Sequence, residues 1–91
     1  MVLKVRQSTR FRRDVRRLSR QGAELSKLET LLKDLVAQEV LDQQYRDHPL
    51  RGNWQGFRDC HIEPDWLLIY RIDEDELQLA RTGSHAELFG S

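Results

Sequence analysis

At 91 residues the chain has room for one modest hydrophobic core, so a single domain spanning 1–91 is expected. A third of it is charged, and no apolar run approaches the roughly 20 residues of a membrane span or the stretch that opens a secretion signal; a cytoplasmic protein without membrane contact is expected. The lone Cys60 excludes an intramolecular disulfide and reads as a small buried side chain.

Net charge is zero by balance, 15 basic against 15 acidic side chains, yet the charges are segregated. Residues 1–20 carry eight basic side chains against Asp14 alone, while Asp73-Glu74-Asp75-Glu76 forms an acidic run. With such polarisation the total says little about whether one face prefers polyanions.

Val2-Leu3-Lys4-Val5 has the β-branched content of a short strand. Ser8 or Thr9 then caps a helix in which Phe11, Val15 and Leu18 recur on one face and Arg13, Arg16, Arg17 and Arg20 on another. Gly22 offers a left-handed exit. A second amphipathic helix carries Leu25, Leu28, Leu31, Leu32, Leu35 and Val36, and the short link between the two predicts a helical hairpin. No glycine or proline interrupts Gln38 to Asp47, so its C-terminal limit is open by a few residues.

His48 precedes Pro49, which biases it toward an extended loop. From Trp54 onward the pattern turns to strands: Phe57, Asp59 and His61 alternate with Arg58, Cys60 and Ile62. Glu63-Pro64-Asp65 is a turn, Trp66 to Ile72 a strand apolar on both faces and therefore central, Asp73 to Glu76 a second turn, and Leu77 to Thr82 the last strand. The expected class is α+β: an N-terminal strand, two helices and a three-stranded antiparallel meander, with the helices packed on one face. Trp54, Phe57, Trp66 and Tyr70 are expected to pack the sheet.

The polar residues capable of chemistry cluster in this second half. Asp59 and His61, two apart on a strand, stand about 7 Å apart on one face, with Asp65 at the adjoining turn. The end of the last strand leads through Arg81 toward His85. Imidazoles exchange protons near neutrality, and three of them beside carboxylates suit acid–base catalysis. Histidine separations of 13 and 24 residues with one cysteine match no compact metal-binding spacing, and no glycine-rich phosphate loop or nucleophile elbow occurs.

Taken together, Tyr45-Arg46-Asp47-His48-Pro49-Leu50, Gly52-Asn53-Trp54-Gln55-Gly56-Phe57-Arg58-Asp59-Cys60-His61, Glu63-Pro64-Asp65-Trp66-Leu67-Leu68-Ile69-Tyr70 and Arg81-Thr82-Gly83-Ser84-His85-Ala86-Glu87-Leu88-Phe89-Gly90 resemble the YafQ branch of the RelE/ParE toxin superfamily. The resemblance is close over the second half and rests on helix pattern alone in the first. It implies a type II toxin that cleaves mRNA on the ribosome, held by a DinJ-like antitoxin and meeting operator DNA only through that complex. It places His48, Asp59, His61, Asp65 and His85 in a catalytic set, with Phe89 and Arg81 binding substrate, and it implies neither metal nor cofactor. On this reading RNA supplies the nucleophile, its own 2′-OH, and the histidines move the protons. Phe89 would stack on a splayed base. The stripe of Arg13, Arg16, Arg17 and Arg20 would face ribosomal RNA or an acidic antitoxin. The balanced charge departs from the usual basic character of ribosome-docking members. A non-catalytic inhibitor of a protein such as DNA gyrase, as in the ParE branch, is the alternative use of the same fold; it gives no reason for the histidine and carboxylate set.

Overall fold

The chain's longest apolar run, Trp66 to Tyr70, becomes the middle of a five-stranded sheet. In the computed structural model, which describes residues 2–90 and so leaves residues 1 and 91 of the expected domain outside it, this run opens β4 (Trp66–Asp73). On one side β4 pairs antiparallel with β3 (Arg58–Glu63), itself edged by the two-residue β2 (His48–Pro49). On the other it pairs antiparallel with β5 (Glu76–Gly83), which pairs parallel with β1 (Lys4–Gln7). Trp66 through Tyr70 are all buried because both faces of β4 are covered, the environment that a continuous apolar strand requires.

One face receives the helices. Ser8 caps α1 (Thr9–Arg20) by accepting from Phe11 N at 2.9 Å, and its hydroxyl donates to Ala80 O at 2.7 Å, tying the helix start to β5. Gly22, at φ 81°, supplies the left-handed step that ends this helix. The chain then enters α2 (Leu25–Val36), and Phe11, Leu18, Leu28, Leu31 and Leu35 meet Cys60, Leu68, Tyr70, Leu77 and Leu79 in the main core. The opposite face is thinner: Leu67 and Ile69 are covered by Leu88, with Leu50, Trp54 and Phe57 packed around them.

Several boundaries differ from expectation. The first strand lies at Lys4–Gln7 rather than Val2–Val5, because its register is set by pairing with Glu76 to Leu79 and not by its own composition. Val2 is left exposed while Leu3 enters the core. His48, expected on a loop, joins the sheet edge through β2. The residues after the last strand form a short helix, α3 (His85–Phe89), that the periodicity had not marked. A register shift between Ile69 and Tyr70 leaves Ala80 as the extra residue of β5. Just past this bulge Arg81 pairs with Ile69, and its side chain reaches Asp14 of α1.

Candidate active site

Asp59 and His61 project from β3 onto the face away from α1 and α2, as two residues at period-two spacing must. The ladder sets His48 directly across from Asp59. His48 Nδ1 lies 2.7 Å from Arg46 O; a carbonyl only accepts, so Nδ1 carries the proton and donates it there. Asp59 Oδ1 is therefore buried without a hydrogen-bond donor, its nearest imidazole nitrogens being His48 Nδ1 at 3.4 Å and His61 Nε2 at 3.8 Å. Burial raises the Asp59 carboxyl above the ordinary range, and the neighbouring histidines offset only part of that rise.

His85 arrives from the far end of β5 at the first residue of α3. Ser84 Oγ accepts from Glu87 N at 3.1 Å while Glu87 Oε1 accepts from Ser84 N at 2.8 Å, a reciprocal cap. Asp65, at the β3–β4 turn, accepts from both the backbone N of His85 at 2.9 Å and its Nδ1 at 2.7 Å. These bonds hold the Asp65 carboxyl below its usual range, the backbone donor contributing most. They also fix the tautomer: with Nδ1–H on the carboxylate, Nε2 is the nitrogen left for chemistry.

The three imidazoles form a row. Ring centroids lie 6.3 Å apart between His48 and His61 and 5.6 Å apart between His61 and His85, the latter pair edge-on. Desolvation lowers the His61 pKa against the opposing pull of Asp59, and His85, Arg46 and His48 lower it further. Four residues along α3 from His85, Phe89 stands 40% exposed with its ring centroid 6.4 Å from that imidazole. His61 also borders an open cleft of about 510 Å³ that it shares with Lys27, Tyr45 and Arg46.

Of the residues singled out in the sequence, His48, Asp59, His61, Asp65, His85 and Phe89 are brought together and Arg81 is not. Expected at the substrate phosphate, Arg81 instead donates through Nε and Nη2 to the buried Asp14 at 2.7 and 3.0 Å. The arginine stripe needs a parallel correction. Arg13, Arg16 and Arg20 are exposed, whereas Arg17 is drawn inward to Asp14, Thr82 and Glu87. Asp14 is the residue that sequence reasoning passed over. It sits three after Phe11 and four before Leu18, so its place on the buried face was available from spacing alone. Asp47 was passed over as well: it accepts from Tyr70 Oη at 2.6 Å and from Arg58 at 3.3 Å, tethering the segment that delivers His48.

A five-stranded sheet with a helical layer on one face and a histidine row on the other defines a RelE-like α+β protein. The family model for the bacterial toxin of type II toxin-antitoxin system, YafQ, matches residues 3–90, and the chain belongs to that family. It is 42% identical over 84 residues to the mRNA interferase toxin YafQ of Escherichia coli K12, covering 91% of each chain. The crystal structure of YafQ from E. coli BL21(DE3) superposes with a TM-score of 0.93 at 38% identity, over 97% of this chain and 99% of that one. The toxin-antitoxin complex of E. coli DinJ and YafQ gives 0.91 at 38% identity, over 99% and 100%.

Proposed function

We propose that the chain is the toxin of a type II pair and an endoribonuclease that cleaves mRNA on the ribosome, restrained by a cognate antitoxin. The observation that carries this reading is the convergence of His61 and His85, 24 residues apart in sequence, to a ring separation of 5.6 Å with Asp65 fixing one of them. Similarity to a YafQ mRNA interferase and to YafQ bound to DinJ supports the substrate and the partner. Among the described residues no helix is long and apolar enough to cross a membrane, which accords with action at cytoplasmic ribosomes.

The reaction follows from the residue types. His61, whose desolvation favours the neutral ring, takes the proton of the 2′-OH as that oxygen attacks the adjacent phosphorus. The O2′–P bond forms and the P–O5′ bond breaks. His85, oriented by its Nδ1 bond to Asp65, gives the Nε2 proton to the departing 5′-oxygen, leaving a 2′,3′-cyclic phosphate and a 5′-hydroxyl. Asp59 lies below the row, 3.4 Å from His48 Nδ1 and 3.8 Å from His61 Nε2, and acts on His61 through its charge. With Arg81 held by Asp14, positive charge for the phosphate falls to the exposed Arg46. Phe89 offers its exposed ring to an unpaired base.

The test is cleavage of mRNA on translating ribosomes by the purified protein beside His85→Ala. A loss of about 10²- to 10⁴-fold is expected. Cleavage at the parental rate would remove His85 from its role. In cells, mRNA depletion is expected on expression; arrested DNA replication with intact mRNA would point to the non-catalytic alternative.

A further inference from the structure

At five residues α3 is too short to hold its own place, and the contacts that settle it reach across from α1. Asp14, its side chain 3% exposed, is surrounded by donors: Arg81 at 2.7 and 3.0 Å, Arg17 Nη1 at 2.7 Å and Thr82 N at 3.1 Å. Burial raises its carboxyl, but the bonds from Arg81, Arg17 and Thr82 outweigh that and leave it below the usual range. Arg17 is thereby pinned at one end. Its Nη2 donates to Thr82 O at 3.2 Å, and its Nε lies 2.8 Å from Glu87 Oε2, an ion pair in which the N–H is not aimed along the contact. The other oxygen of Glu87 caps α3 through Ser84 N. Gly83 completes the arrangement, because a Cβ there would stand 2.7 Å from Arg17 Nη2 and 2.8 Å from Glu87 Oε1.

We propose that Arg17 and Glu87 are positioning residues for His85, a clamp running Asp14–Arg17–Glu87 that sets where α3 begins and hence where its first side chain points. Arg17 touches neither the imidazole row nor the reacting atoms. It acts through the capped turn, while Asp65 holds the imidazole from the other side. Reactive groups misplaced by about 1 Å lose roughly 10²-fold in rate, so a clamp one turn from His85 has leverage on the chemistry. The proposal rests on the reading of His85 given above, and its test separates the two.

Arg17→Gln and Glu87→Gln are compared with the parent in single-turnover cleavage at saturating ribosome, and the histidine ring signals of the free protein are followed by NMR. Each variant is expected to lower the rate at saturation about 10- to 100-fold with an unchanged half-saturating ribosome concentration. The double variant is expected to be no worse than the poorer single, as members of one network should be. The His85 ring signals should move in both singles. A raised half-saturating concentration with an intact rate at saturation would make Arg17 a ribosome contact and overturn the clamp, as would parental rates with unmoved His85 signals. Should Arg17→Gln fail to fold, Glu87→Gln carries the test, since it leaves Asp14 with all of its donors. If His85→Ala cleaves like the parent while the His85 signals still move in the clamp variants, the positioning stands and the catalytic reading falls.

Discussion

Asp59 and Asp14 are both buried carboxylates, and their surroundings act in opposite directions. Asp14 has donors on both oxygens, so its folded-state pKa is depressed; its stabilising contribution is present above the ordinary carboxyl pKa and is lost as pH falls through the depressed value. Asp59 has a raised pKa, so the folded chain holds that proton more tightly than the unfolded chain does. Its contribution is greatest below the ordinary carboxyl pKa and is lost as pH rises through the raised value. Asp59→Asn removes an incompletely paired buried charge and is expected to stabilise the fold by about 1 kcal/mol at neutral pH while lowering cleavage. Thermal unfolding and cleavage measured on the same preparation check this; a less stable variant would show that the carboxylate is better satisfied than its contacts indicate. For His61 the shift is downward, so its neutral form persists to lower pH than that of a free imidazole. The acid limb of kcat/KM is therefore expected below the usual histidine value of 6.5. A limb above that value would assign the base elsewhere.

Among the elements, α3 carries the site and was the hardest to read. Ser84 and Glu87 do form the S-x-x-E signature of a capped helix start, yet a glycine on each side and so short a run leave no periodicity to support it. Ser84→Ala is expected to cost about 1 kcal/mol in α3 and to depress cleavage more than it depresses the global melting temperature. Equal losses in both would mean that α3 unfolds only with the whole protein. By contrast, α1, α2 and β4 were legible because amphipathic spacing and an uninterrupted apolar run report burial directly. The displacement of β1 from Val2–Val5 to Lys4–Gln7 has the opposite cause: edge pairing with β5 outweighed β-branched composition.

For the molecule as a whole, zero net charge conceals an exposed basic face. Arg17 is spent internally, which leaves Arg13, Arg16 and Arg20 as the part of the stripe open to a polyanion. Replacing these three by Gln is expected to weaken ribosome binding and flatten its salt dependence, with the cleavage rate at saturation preserved. Titration of ribosome binding at several salt concentrations measures both. An unchanged salt slope would move the docking surface off α1.

Side-chain chemistry and periodicity, read along the chain, determined the helical hairpin, the central strand, the face shared by Asp59 and His61, and the residue types of an acid–base site. Those properties are local, since each depends on spacings of two to four residues. Folding in three dimensions decided which ionisable groups meet: it joined His85 to Asp65, set His61 between two other imidazoles, and turned Arg81 and Arg17 from expected ligands of an anion into partners of Asp14. That outcome could not be read from spacing. It depends on burial of one carboxylate, Asp14, beside the end of β5, where a lone charge is so unfavourable that it recruits the nearest guanidinium groups.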